Sequence, residues 1–228
     1  MSHHDVQTTP LFAPLQGGCA CGYIRYSLNA APLFVHCCYC TSCQRETGTA
    51  FAVNALVEGD EVTLLPSAPS ATLSQPLATF PSSVLDHWTP KQSRPGGITA
   101  DTDEANGQTV ETIGSPVLLA VPTDSGAPHN IARCPACLTA VWSNYGACPL
   151  LKFLRVGTLD SPALLRGPDV HIYVRSKPSY IQIPDDGKPR FDAFYPQKDD
   201  AWGSEVVVRR QKLFGRMMAW RKEVAASG

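Results

Sequence analysis

The chain has 228 residues, 43% of them hydrophobic, with 19 basic and 20 acidic side chains and a formal net charge of −1. That length and apolar content suffice for one domain with a buried core. The charge balance argues against a nucleic-acid binder, which usually carries a clustered basic excess, and no run of about 18 apolar residues is present to span a bilayer.

Residues 1–14 are polar, lack the apolar segment of a signal peptide, and read as a flexible arm in a reducing, cytoplasmic setting. Residues 23–28 alternate and predict a strand, with Tyr23, Arg25 and Ser27 on one face. Further strands are predicted over 33–36, 51–57 and 62–65. From 66 to 128 the texture changes to Pro, Ser, Thr and Gly, with a polar centre at 99–109, which reads as an insertion with a flexible tip. Within it the apolar run 117–121 predicts a strand, and 140–143, 153–158 and 170–175 complete the set. Residues 204–224 predict a helix with Val208, Leu213, Met217 and Trp220 as its apolar residues. The expected organisation is a mainly β domain over 15–185, interrupted at 66–128 and followed by a partly helical extension over 186–228.

Nine cysteines are present, and seven fall in three tight clusters: Cys19-Ala20-Cys21, Cys38-Tyr39-Cys40-Thr41-Ser42-Cys43 and Cys134-Pro135-Ala136-Cys137. Two cysteines two or three positions apart can aim both sulfurs at one ion from a single turn, and zinc takes four such ligands at about 2.3 Å. Seven thiols divide most simply into four and three. Cys19, Cys21, Cys134 and Cys137 make a closed, structural set that ties the N-terminal region to the second half of the fold. Cys38, Cys40 and Cys43 make a local set with one coordination position open, the arrangement that supports zinc chemistry. Gly17, Gly18 and Gly22 fit a backbone bending round a metal. An odd cysteine count in a reducing compartment weighs against disulfides. A redox reading of Cys134-Pro135-Ala136-Cys137 expects a βαβ setting, whereas 131–142 reads as turn and strand. Cys37 and Cys148 are left over and read as small buried hydrophobes, with Cys37 near enough to the open set to replace a neighbour.

The segments Gly17–Tyr26, Cys38–Gly48, Cys134–Cys137 and His171-Ile172-Tyr173-Val174 resemble the glutathione-dependent formaldehyde-activating enzyme family, which also includes centromere protein V and has the Mss-four-like fold. The resemblance covers about 15–60 and 130–185. It implies a coiled antiparallel β fold with two zinc ions. It also implies a structural site at Cys19, Cys21, Cys134 and Cys137, and a catalytic site at Cys38, Cys40 and Cys43 where a thiol such as glutathione reacts. Members are usually described as carbon–sulfur lyases. The chain departs from the pattern in three ways. Leu138 stands where a glycine usually follows the last pair, Tyr39 stands where a histidine is common, and the stretch between the half-sites is longer.

The expected chemistry is a thiol entering the open position, losing its proton there and adding to a small electrophile, or the reverse cleavage. Three thiolates on one ion favour thiol chemistry over peptide-type hydrolysis. Arg45 is a candidate cation beside the site, against an ion pair with Glu46. His36 is a candidate general acid or base, against a role in holding the turn. His171 reads as packing or hydrogen bonding more than catalysis, and Asp86-His87-Trp88 as loop packing or a cap over the pocket. The insertion is the expected specificity element. Two further readings stay open: a non-catalytic zinc-stabilised binding module, and a family member turned to other chemistry, such as isomerisation in specialised metabolism. A deep pocket favours the enzymatic readings and a flat apolar patch favours the module. The expected partner is a small thiol or thioether, with neither nucleic acid nor membrane, and a homodimer is an open alternative to a monomer.

Overall fold

The computed structural model describes residues 12–67, 113–121, 128–165, 167–195 and 204–227. Most of the predicted arm, the polar centre at 99–109 and Asp86-His87-Trp88 lie outside the described residues. In chain order the elements are β1 (Leu15–Gly18), β2 (Arg25–Leu28), β3 (Phe34–Cys38), α1 (Thr41–Thr47), β4 (Ala52–Glu58), β5 (Val62–Leu65), β6 (Val117–Val121), β7 (His129–Arg133), β8 (Ala140–Tyr145), β9 (Leu151–Arg155), β10 (Val170–Ile172) and α2 (Ser204–Ser227). The mainly β class with a C-terminal helix is what the chain forms.

Two sheets result. A small one runs β1-β2-β5 and a large one runs β10-β3-β4-β9-β8-β7-β6. Strand period two gives the large sheet two faces. On one, Val35, Ala55, Val57, Ala132, Trp142 and Leu154 pack against Ile24, Tyr26 and Leu28 at and beside β2. Ile24, Tyr26 and Leu28 are fully buried, each contributing roughly 1.5–3 kcal/mol of apolar transfer. Tyr26 meets the edge of Trp142 at 6.2 Å and shares a 2.7 Å hydrogen bond with Thr158. This face carries the core. The other presents Cys38, Asn54, Phe153, Arg155 and Ser143 to α1, α2 and the segment after β10.

One pair departs from the antiparallel expectation. β10 runs parallel to β3, with Val170 opposite His36 and Ile172 opposite Cys38. A parallel neighbour needs a long crossover rather than a tight turn, and the whole chain from 39 to 169 intervenes.

Several boundaries shift for identifiable reasons. The predicted strand over 23–28 begins only at Arg25, because Gly22 turns the chain at φ 73° just before it. The predicted strand over 153–158 is β9 followed by a 3-10 turn at Val156–Thr158. That over 170–175 stops at Ile172, where Tyr173 takes φ 56°. Gly17 and Gly18 lie in β1 rather than at the metal turn. A Cβ on Gly17 would sit 2.5 Å from the Thr158 carbonyl oxygen, and one on Gly18 would sit 2.3 Å from that of Ile24. Close approach of backbones, not bending, requires them.

The extension is tied back firmly. Arg209 of α2 donates to both oxygens of Glu58 at 2.9 and 2.7 Å and to the Ala31 carbonyl at 2.9 Å. Leu213 is buried with Leu33 and Leu56, with Val206 and Met217 beside it. The buried stripe is therefore Val206, Leu213 and Met217. Val208, expected on it, points away and is 63% exposed, since it falls about 160° round the helix from Val206.

Candidate metal centres and the cavity beside them

The Sγ atoms of Cys19, Cys21, Cys134 and Cys137 lie within 4.8 Å of one another, as do those of Cys38, Cys40 and Cys43. Cys21 Sγ is 3.5 Å from Cys19 Sγ and 3.6 Å from Cys134 Sγ. A tetrahedron of ~2.3 Å bonds has edges of roughly 3.8 Å, so the spacing suits four sulfurs round one ion. It is too wide for any disulfide, and all nine cysteines are free thiols.

Each cluster is held by backbone donors aimed at sulfur. Ile24 N–H donates to Cys19 Sγ at 3.2 Å and Ala136 N–H to Cys134 Sγ at 3.4 Å, while Thr139 Oγ1 lies 3.2 Å from Cys137 Sγ. The Cys134–Thr139 turn closes through Leu138 N–H to the Cys134 carbonyl at 3.0 Å, with Leu138 at φ 60°. The position where a glycine is usual thus keeps the glycine's conformation with a leucine in it, its side chain 62% exposed.

The three-cysteine cluster is built differently. Cys38 ends β3. Cys40 caps α1, its sulfur accepting from Cys43 N–H at 3.3 Å, and Cys43 stands in the helix's first turn. Gly48 at φ 65° ends the helix. The expected loop is therefore half helix, which its short polar run, Thr41–Thr47, conceals because no apolar period marks it. Hydrogen bonds from the Cys38 and Cys43 thiols hold the Cys40 thiol down to about 2, while Cys38, bonded to Cys40, is pushed far up.

The second cluster lines a cavity. Its volume is about 900 Å³, and Cys38, Cys40 and Cys43 line it together with residues of β3, β4, β7, β8, β9, α1 and α2. The wall is rich in arginine: Arg45, Arg133, Arg155, Arg175 and Arg221 line it, against one carboxylate, Glu46. Arg155 donates to both Glu46 oxygens at 2.5 and 2.6 Å and also to Asn54 Oδ1. Arg155 and Glu46 are only 9% and 8% exposed in their side chains. Glu46 thus pairs with Arg155, not with Arg45, which is exposed at the cavity wall. The registers explain the assembly: His36 lies opposite Asn54, and Asn54 opposite Arg155, which makes a polar row across three strands.

His36 lies in this row, 3% exposed, among the rings of Phe153, Phe194 and Tyr195. Burial, with Arg155 nearby, lowers it to about 4, so its ring is neutral near pH 7. Tyr39 is buried and its hydroxyl is 3.1 Å from His171 Nδ1, so the position often held by histidine and the strand histidine after it form one hydrogen-bonded pair. Cys37 points to the opposite face of β3 from Cys38 and is not among the clustered sulfurs. It does not stand in for a neighbour, and burial raises it to about 11. Cys148 is buried and lines the cavity.

The sequence reading overlooked several residues of this wall. His129 of β7 is 6% exposed, its ring stacked on Tyr145 at 4.3 Å and its Nδ1 4.0 Å from Glu46 Oε2. Ser143, Asn54 and Arg155 are buried beside it. Their polar character in strands otherwise destined for burial was the available signal.

A mainly β chain with a four-thiol and a three-thiol cluster, each able to hold a metal ion, is the class these features define. Residues 14–79 match the family described as glutathione-dependent formaldehyde-activating enzyme, which supports assigning the chain to it. The match spans the first cysteine pair and the whole three-cysteine cluster, and the second pair lies beyond it. No curated protein matches the chain. No helix among the described residues is long and apolar enough to cross a membrane.

Proposed function

We propose that this protein is a zinc-dependent thiol-adduct enzyme, forming or cleaving a carbon–sulfur bond between a carboxylate-bearing thiol such as glutathione and a small electrophile. The observation that carries this reading is the convergence of Cys38, Cys40 and Cys43 at the wall of a cavity of about 900 Å³ lined by five arginines.

The donor set fits zinc. Three soft sulfurs at one local turn and four more at a closed turn pair are the ligand types and numbers of a catalytic and a structural zinc site. A zinc ion held by the three sulfurs supplies a fourth position at which a thiol loses its proton near neutral pH. The chain's own residues do the rest. Cys43 N–H steadies the Cys40 sulfur. Arg45, Arg133, Arg175 and Arg221 supply the cations that a thiol's remote carboxylates seek. Arg155, tied to Glu46 and Asn54, fixes α1 against the sheet and thereby the angle at which Cys40 and Cys43 face the cavity. Phe153, Tyr145 and Phe194 give a wall that sheds water.

The cavity supports an enzymatic reading over a flat binding face. Within the described residues the insertion contributes only Val121 to it, while α2 contributes Met217 and Arg221, so the C-terminal extension joins the insertion as a candidate for setting specificity.

The test is native mass spectrometry of wild type and Cys40→Ser, with and without glutathione, together with turnover of formaldehyde plus glutathione. Two zinc ions in wild type, one in the variant, and a glutathione adduct and turnover that both vanish with the second ion support the reading. Turnover that survives loss of that ion overturns it.

A further inference from the structure

We propose that His129 is the proton-transfer group of the three-cysteine site. This rests on the enzymatic reading above and adds a residue from β7, outside the segment that matches the family.

The ring has one nitrogen near a carboxylate and the other without a partner among the described residues. Nδ1 lies 4.0 Å from Glu46 Oε2. That is beyond hydrogen-bond length, so Glu46 acts on the ring through its charge and would pair with it once it is protonated. Glu46 is itself clamped by Arg155, so the carboxylate cannot swing away. The ring is stacked flat on Tyr145, at 4.3 Å and 7°, which leaves it no free rotation. Nε2, at the far end of the ring, is buried and has no hydrogen-bond partner among the described residues. A buried ring nitrogen is costly to leave unpartnered unless something arrives to bond it. His129 lines the same cavity as Cys38, Cys40 and Cys43. Three other buried atoms on that wall, His36 Nδ1, Ser143 Oγ and Arg155 Nε, are likewise unpartnered among the described residues.

The charged and titratable groups facing the ring come from each neighbouring element. Glu46 of α1 favours its cation, Arg155 of β9 opposes it, and Cys40 favours it, while Tyr145 of β8 is a neutral ring at physiological pH. Burial tips the balance and lowers the group below its ordinary value, so the resting ring is neutral and able to accept. His36, the other cavity histidine, has no carboxylate at either nitrogen among the described ion pairs and has Arg155 beside it. Cys40 favours its cation as it does that of His129, but Glu46 acts on His129 alone.

In the addition direction the thiol S–H proton passes to Nε2 while the sulfur lone pair attacks the carbonyl carbon. The C=O π pair moves to oxygen, and the proton returns from Nε2 to that oxygen. One S–H and one C–O π bond are exchanged for one C–S and one O–H bond, with no oxidant or reductant. Cleavage is the same path reversed.

The test uses zinc-loaded full-length wild type, His129→Ala and His129→Gln. With glutathione and formaldehyde, kcat of both variants is expected to fall about 10²-fold or more, with KM within about threefold and partial recovery of the alanine variant on adding imidazole. The second readout does not need turnover. Calorimetry of glutathione binding in two buffers of different ionisation enthalpy counts protons released per thiol bound. Release is expected to be smaller in wild type than in His129→Ala, where the proton has no acceptor and leaves to the buffer. Equal proton release in the two proteins, or kcat in His129→Ala within about twofold of wild type, overturns the assignment of His129 alone. No glutathione binding by any of the three overturns the enzymatic reading, and the His129 assignment with it.

Discussion

The two cysteine clusters present the same thiol group in different surroundings, and the proposed function assigns them different work on that ground. The four-cysteine cluster draws its halves from turns 113 residues apart, from Cys21 to Cys134, and abuts the apolar core that holds Cys19 and Cys134 together with Tyr26 and Trp142. The three-cysteine cluster comes from one strand end and one helix start, so few long-range contacts are needed to assemble it. Its other side is a cavity walled by buried polar side chains with unmet hydrogen bonds. Ligand identity therefore says little about role. Sequence separation and the neighbouring wall are what distinguish the cluster proposed to hold the fold from the one proposed to meet a substrate.

Substitutions should separate the two clusters, beginning with the largest effect on the fold. Cys134→Ser breaks the long-range staple, and because metal-binding free energy at a structural site is folding free energy, the variant is expected to lose its cooperative thermal transition. A scan that keeps the wild-type Tm would refute the staple. Arg155→Met removes one partner of a buried ion pair and leaves Glu46 uncompensated, a loss of about 3–5 kcal/mol measurable by urea unfolding. Activity in the surviving folded fraction should fall as well, since α1 loses its anchor. Cys40→Ser removes only the linkage of the local site, about 2.7 kcal/mol with zinc at 100-fold excess over Kd. It should leave circular dichroism unchanged while eliminating turnover and one zinc equivalent. Leu138→Gly is the smallest. It relieves a left-handed residue that costs roughly 1–2 kcal/mol and returns about 0.5–1 kcal/mol of unfolded-state freedom. The expected net gain is about 0.5–1 kcal/mol, seen as a small rise in Tm and slower zinc loss to a chelator at the four-cysteine site.

Much of this was legible in the chain, for reasons that differ by element. The seven ligand cysteines stood out because their spacing alone fixes which sulfurs can share a turn, and the structure clusters them as four and three. The strand at 117–121 and the helix from 204 showed through their composition and period. What stayed hidden was context. α1 carries no apolar stripe, so Thr41–Thr47 read as loop. β1 is half glycine, and only the nearness of Thr158 and Tyr26 to Gly17 and of Ile24 to Gly18 explains it. His129, Glu46 and Arg155 come from a strand, a helix and another strand, and no local pattern joins residues that the sheet register alone brings together. Cys37 was misplaced for the opposite reason: adjacency in sequence suggested adjacency in space, but a strand turns successive side chains to opposite faces.

The 113-residue separation within the four-cysteine cluster also sets a clock. At a synthesis rate of about 5–20 residues per second, roughly 6–20 s pass after Cys21 is made before Cys134 exists. Cys38, Cys40 and Cys43 are complete about 1–4 s after that start. The growing chain therefore carries six thiols and one finished local ligand set before the staple can close. Metal captured in that interval has only Cys19 or Cys21 and the later trio to choose from among the clustered thiols, so slow chain growth or abundant metal would favour joining the wrong ones.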